Sequence, residues 1–239
     1  MEEKEGGEIF TRKARSAFAR FVTANDFPCL GAKAAWNAGS YVIQTYNELA
    51  SASATPLLAQ QLLTFLSSAK TRAREFATFV AIFNQPDSTT EAEFERLLWR
   101  QLQQLDLISA RNFEWDPSVS SDPRNPRFCY SFAGQALYIV GLHRNSSRMA
   151  RRFSWPTLVF NPHAQFEKLR HDGKWLRMQQ MIRQRDQDLQ GSTNPMLSDF
   201  GEVSEARQYS GRIVDETWEP GFRPTIPGES GVCPFQGHK

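Results

Sequence analysis

Most signatures that assign a chemistry at sight are missing from this chain of 239 residues. There is no GxGxxG and no GxxxxGK[ST] loop, so a glycine-cradled nucleotide has no motif behind it. Cysteine is scarce: Cys29, Cys129 and Cys233 are far apart and form no CxxC pair. That removes the usual signatures of structural zinc and dithiol exchange, and an odd count suits a reducing compartment. No apolar run approaches the roughly 18 residues of a membrane span, and the opening MEEKEGGEIF is acidic and lacks a signal core. A soluble, cytoplasmic protein without a membrane partner is expected. Charge of one sign is also lacking, since 28 Lys and Arg against 26 Asp and Glu leave a formal +2. A dedicated polyanion binder would be far more basic, so no nucleic-acid partner is expected. Internal repeats are absent.

Aromatic side chains, by contrast, are plentiful: 18 Phe and 6 Trp in a chain that is 40% hydrophobic give ample material for one core. The spacing predicts amphipathic helices over 9–23, 57–68, 91–108 and 164–189, the third opened by the Ser88-Thr89-Thr90 cap. Alternating or β-rich runs predict strands over 41–46, 76–83, 128–142 (bent at Gly134) and 157–161. Residues 29–35 read as a turn entering a small-residue helix. The mixture predicts an α+β (or α/β) fold, a single domain over 1–239 with a central mixed β-sheet flanked by helices. Residues 213–239 read as an extended C-terminal arm, because 220–239 alone holds four Pro and four Gly; Cys233-Pro234-Phe235 would pin part of it.

Candidate site residues concentrate between 138 and 212. One apolar segment ends on His143, followed by Arg144, Arg148, Arg151 and Arg152; a second ends on His163, followed at helical spacing by Glu167 and Arg170. Two strands that each deliver an imidazole at their ends resemble a site on a sheet rim. Between 140 and 190 the basic residues exceed the acidic ones by six, and guanidinium forks suit phosphate, nucleic acid or cofactor carboxylates. His163 and Glu167, four apart, also form half of a non-haem metal site or a surface pair. Cys29 precedes a helix, where free N–H groups would stabilise a thiolate; otherwise it is a buried small hydrophobe. The segments 190–197 and 204–212, with Glu205, mix hydrogen-bonding and apolar side chains, as pocket linings do.

The combination FPCLGAKAA (27–35), GLHRNSSRMARRF (141–153), LVFNPHAQFEKLR (158–170), RDQDLQGSTNPMLSDFGEVSEARQYSGR (185–212) and CPF (233–235) resembles the YqcI/YcgG family, and within it the haem-dependent guanidine N-hydroxylases of guanitoxin-type pathways. One departure is the longer spacing between Trp218 and Cys233. The resemblance implies a haem-dependent monooxygenase that uses O2 to N-hydroxylate a guanidine- or amidine-containing small molecule, with haem b as cofactor, a separate electron donor, and a homodimer admissible. It further implies His143 as the axial iron ligand, with His163 and Cys29 as alternatives, and Arg148, Arg151, Arg152 and Arg170 around the cofactor. His163 becomes the distal proton donor, and Glu167 or Glu205 the anchor for a guanidinium. The competing expectations are a non-haem metal oxygenase built on His163 and Glu167, and a non-catalytic anion- or nucleic-acid-binding module using the 144–185 basic face.

Overall fold

A computed structural model of the chain describes residues 2–68, 71 and 74–225. Its centre is a five-stranded mixed sheet in the order β1-β2-β5-β4-β3. Strands β1 (Tyr41–Glu48) and β2 (Thr78–Gln85) run parallel, joined through helix α3 (Ala54–Ser67). Strand β5 (Thr157–Pro162) is antiparallel to β2 and to β4 (Gln135–Leu142), and β4 is antiparallel to β3 (Tyr130–Phe132). The helices are α1 (Glu2–Thr23), α2 (Leu30–Asn37), α3, α4 (Glu91–Ser109), α5 (Ala164–His171), α6 (Trp175–Gln190) and the single turn α7 (Ala206–Tyr209). The α+β expectation is borne out.

Strand alternation divides the core in two. Phe79, Ala81 and Phe83 of β2, with Leu137, Ile139 and Phe160, meet helices α3 and α4. Their neighbours Val80 and Ile82, with Leu142, meet α1 through Ala14, Phe18 and Val22. This is the period-2 pattern of a sheet covered on both faces, and each fully buried Phe or Leu contributes about 1.5–3 kcal/mol. Helix α4 starts at Thr90, whose hydroxyl accepts from the Glu93 amide at 3.2 Å while the Glu93 carboxylate accepts from the Thr90 amide at 2.8 Å. Such a box satisfies two end donors at once. Gly141 lets α4 lie directly on β4: a Cβ there would sit 2.7 Å from Phe94, 2.8 Å from Leu98 and 2.8 Å from the Tyr209 carbonyl oxygen.

Two predicted elements are divided. The strand expected over 128–142 is a hairpin, because Ala133 and Gly134 both take positive φ (52° and 71°), the backbone of a tight two-residue turn. The helix expected over 164–189 is two helices, broken where Gly173 adopts φ 70°. Within the predicted arm, residues 213–225 form neither helix nor strand, but their far end is docked on α4. Gln103 accepts from the Arg223 amide at 2.9 Å, Asp106 from the Thr225 amide at 2.7 Å, and Phe222 packs between Trp99, Trp115, Phe128 and Tyr130. The expectation for Cys233-Pro234-Phe235 lies outside the described residues.

Candidate functional site

On the α1 side of the sheet the second layer does not close. Helices α1, α2 and α6 and residues 194–208 surround a half-open cavity of about 300 Å³, at the lower end of the volumes that small-molecule sites occupy. Its wall is mainly aromatic and aliphatic, with Phe18, Phe27, Trp36, Tyr41, Phe166 and Trp175 among the lining residues. Polar side chains reach it from several parts of the chain, Cys29, His163, Arg170 and Glu205 among them.

Cys29 enters from the start of α2. Pro28 precedes it and it is the N-cap, so its sulfur accepts the Ala32 amide at 3.4 Å. Burial pushes the thiol up, while the amides of Ala32 and Gly31 and the nearby Arg151 charge pull it back. A helix N-terminus with free N–H groups is where a sulfur anion is least costly. The loop before it is itself clamped: Arg185 of α6 donates to the carbonyls of Asn25 (2.6 Å) and Phe27 (3.0 Å), and Lys33 to those of Ala24 and Asn25.

His163 and Glu205 line the same cavity, each 5% exposed. Burial lowers the pKa of His163, so its ring is neutral at physiological pH; its Nε2 has no hydrogen-bond partner and its ring packs on Phe200 at 4.7 Å. Burial raises the Glu205 carboxyl to about 7, against hydrogen bonds from Cys129 and Tyr209. Tyr209 donates to it at 2.9 Å, and the Tyr209 oxygen in turn accepts the Tyr130 amide at 3.0 Å. Cys129, fully buried beside Tyr130, completes a group whose donor atoms, one each from Cys129, His163 and Glu205, lie within 4.8 Å of one another.

The two histidines do not share a site. Strands β4 and β5 are antiparallel, with Leu142 opposite Thr157 and Leu137 opposite Pro162, so the residues that follow them leave at opposite ends of the strands, about 17 Å apart. His143 also faces the α4 side, where its ring stacks on Phe94 at 4.4 Å and it is 2% exposed. It is absent from the cavity wall. The expectation that both imidazoles enclose one cofactor is corrected by strand polarity, which a single sequence does not display.

The arginines divide as well. Arg148 lines the cavity but is ion-paired with Asp186 and donates to the Ser192 carbonyl at 2.8 Å. Arg151, 9% exposed, donates to the carbonyls of Gly141, Tyr209 and Gln208. Arg152 is exposed and bonds Ser146. A buried guanidinium must find acceptors, and here they belong to the chain itself, so the expected carboxylate cradle of Arg148, Arg151 and Arg152 does not form. Arg170 differs: it lies at the cavity over Trp175 (4.8 Å), and its ion-pair partner Glu167 is half exposed. Glu167 faces solvent 3.7 Å from the His163 ring nitrogen, leaving Glu205 as the carboxylate of that pair within the cavity.

The YqcI/YcgG family matches residues 18–223. The chain belongs to this family. No curated protein and no solved structure matches it. The matched span of the YqcI/YcgG chain contains every cavity residue named above. Cys129, Asp186 and Tyr209 were not singled out as site residues from sequence; Cys129 alone carried a signal, as one of three cysteines in a chain with four histidines. No helix among the described residues is long and apolar enough to cross a membrane.

Proposed function

We propose that this protein is a haem-dependent oxygenase that uses O2 and an external electron donor to N-hydroxylate a guanidine- or amidine-containing small molecule. The observation that carries the reading is Cys29: a sulfur held by a helix N-terminal amide on the wall of a mainly apolar, aromatic cavity that the buried carboxylate of Glu205 also lines. The residues fit haem b in chemistry. Cys29 would hold the iron, with His163 the other candidate on the cavity, apolar walls suit a macrocycle, and Arg170 and Arg183 are cavity guanidinium groups whose partners Glu167 and Asp199 are exposed enough to exchange for propionates. Bound haem would supply the activation of O2, and a Cys29 thiolate would favour it by donating electron density to the iron.

The chain's own residues have separate tasks. Glu205 receives the cationic end of the substrate, because a carboxylate binds guanidinium through two parallel bonds, and Tyr209 holds one of its oxygens in place. His163, neutral and with an unengaged nitrogen, can hold a proton at the cavity wall. Aromatic side chains exclude water from the reacting end.

The competing readings have less support. The pair His163 and Glu167 offers one buried and one exposed group, and the basic stretch from 144 to 185 directs Arg148, Arg151 and Arg185 to acceptors inside the protein. The test is a pyridine haemochrome assay and a ferrous–CO spectrum on the purified protein, with mass-spectrometric detection of N-hydroxyguanidine product. Protein that binds no haem, even after hemin is added, ends the proposal.

A further inference from the structure

The cluster that His163 and Glu205 form with Cys129 beside the cavity has a composition that hydrogen bonding alone does not account for. Cys129 from the start of the β3 hairpin, His163 from the β5–α5 corner and Glu205 from the head of α7 come from three distant parts of the chain, yet their donor atoms lie within 4.8 Å of one another. All three are buried, at 0%, 5% and 5% exposure. A network of neutral groups explains Glu205 with Tyr209 and Cys129. It leaves the buried Nε2 of His163 without a hydrogen bond, with the half-exposed Glu167 carboxylate 3.7 Å away, and unpaired buried nitrogens are costly.

We propose that Cys129, His163 and Glu205 form a three-ligand site for a divalent cation of the zinc class. Thiolate, imidazole and carboxylate together are the donor set of borderline-soft ions such as Zn²⁺, and three protein ligands with one position left over is the arrangement of an accessible zinc rather than a closed structural one. The free position faces the cavity, because His163 and Glu205 both line it. Closing the donors onto an ion whose ligands sit at about 2.0–2.3 Å requires side-chain shifts on the order of 1 Å. Binding releases the thiol proton of Cys129 and any proton on Glu205 to solvent, and the two negative ligands then neutralise the ion. The outer layer is in place: Tyr209 donates to Glu205 and is itself fixed by the Tyr130 amide, the kind of support that orients metal ligands.

This site does not depend on the haem reading, but the two meet at Glu205. A carboxylate that ligates the cation is withdrawn from a guanidinium, so the ion and a cationic substrate compete.

Zinc X-ray absorption on the purified protein, equilibrated with Zn²⁺ and freed of excess, tests the proposal while haem is quantified separately on the same sample. About one zinc per chain with a single sulfur neighbour near 2.3 Å is expected. The sulfur neighbour should vanish in Cys129→Ser, with folding checked by circular dichroism. Glu205→Gln, which preserves volume and the Tyr209 bond, should weaken zinc binding at least tenfold. Zinc well below one per chain, a shell without sulfur, or sulfur that persists in Cys129→Ser overturns the assignment; absence of haem on its own overturns only the function proposed above.

Discussion

The two faces of the sheet are built from the same kinds of residue and end differently. On the α4 side, Trp99, Phe128, Tyr130, Tyr209 and Phe222 stack on one another, and the hollows on that face, one beside α3 lined by Gln61 and Phe79 and one beside α4 lined by Asp106 and Trp115, present no histidine or cysteine. On the α1 side, Phe18, Phe21, Phe27 and Phe153 also stack, but α6 stands across a gap instead of filling it, and the gap is where Cys29, His163 and Glu205 are presented. Each face holds a buried histidine. Both pack against a phenylalanine ring and both leave one ring nitrogen without a hydrogen bond; only His163 has a thiol and a carboxylate beside it. Aromatic content therefore makes a core, and what makes a site is the failure of one layer to close around polar groups.

The largest effect that separates the faces is spectral. Cys29→Ala is expected to abolish the ferrous–CO spectrum of the wild type, whereas His143→Ala should retain it and cost only stability, about 1–3 kcal/mol by urea denaturation. The reverse pattern would exchange the roles of the two faces. Next, Glu205→Gln should lower kcat/KM for a guanidine substrate by roughly 30- to 1000-fold, the loss of about 2–4 kcal/mol when a buried charge partner is removed, without lowering the melting temperature.

Paired glycines sharpen the comparison further. Gly141→Ala on the α4 face places a Cβ 2.8 Å from a backbone oxygen and should destabilise the protein by about 1–3 kcal/mol or more, while Gly31→Ala beside the cavity meets the Phe76 ring at 3.3 Å, which can rotate aside, and should cost less. The smallest effect concerns pH. Burial raises the Asp106 carboxyl from 3.8 to about 6, against its bonds to Thr225. A raised folded pKa means the folded state holds the proton more tightly, so this stabilisation is complete below about pH 4 and is lost as pH rises through 6. Asp106→Asn should remove that dependence, matching the wild type near pH 4 and exceeding it by about 1–3 kcal/mol near pH 7.5 in parallel urea titrations.

Much of the fold was legible because periodicity and punctuation agree locally. Strands β1, β2 and β5 and helix α4 fall within a few residues of their predicted bounds. The divided elements failed where one residue outweighed a pattern: Gly173 in an otherwise helical run, and the Ala133-Gly134 turn in an otherwise strand-like one. Cys29, His163 and Glu205 were legible as candidates from residue type and setting. Cys129 was not, because its partners lie 34 and 76 positions away. The arginines misled because sequence shows a charge but not its acceptors.

The sequence by itself determined which segments are apolar, where they stop, and which few residues carry reactive groups, because those properties depend on side chains and near neighbours. Only the tertiary structure decided which of those groups meet. Strand direction sent His143 and His163 to opposite strand ends, burial turned Arg148 and Arg151 into internal clamps, and the pairing of distant segments brought Cys129, His163 and Glu205 together. Each outcome is set by long-range packing, in which the free energy of a contact depends on a partner that local sequence does not name.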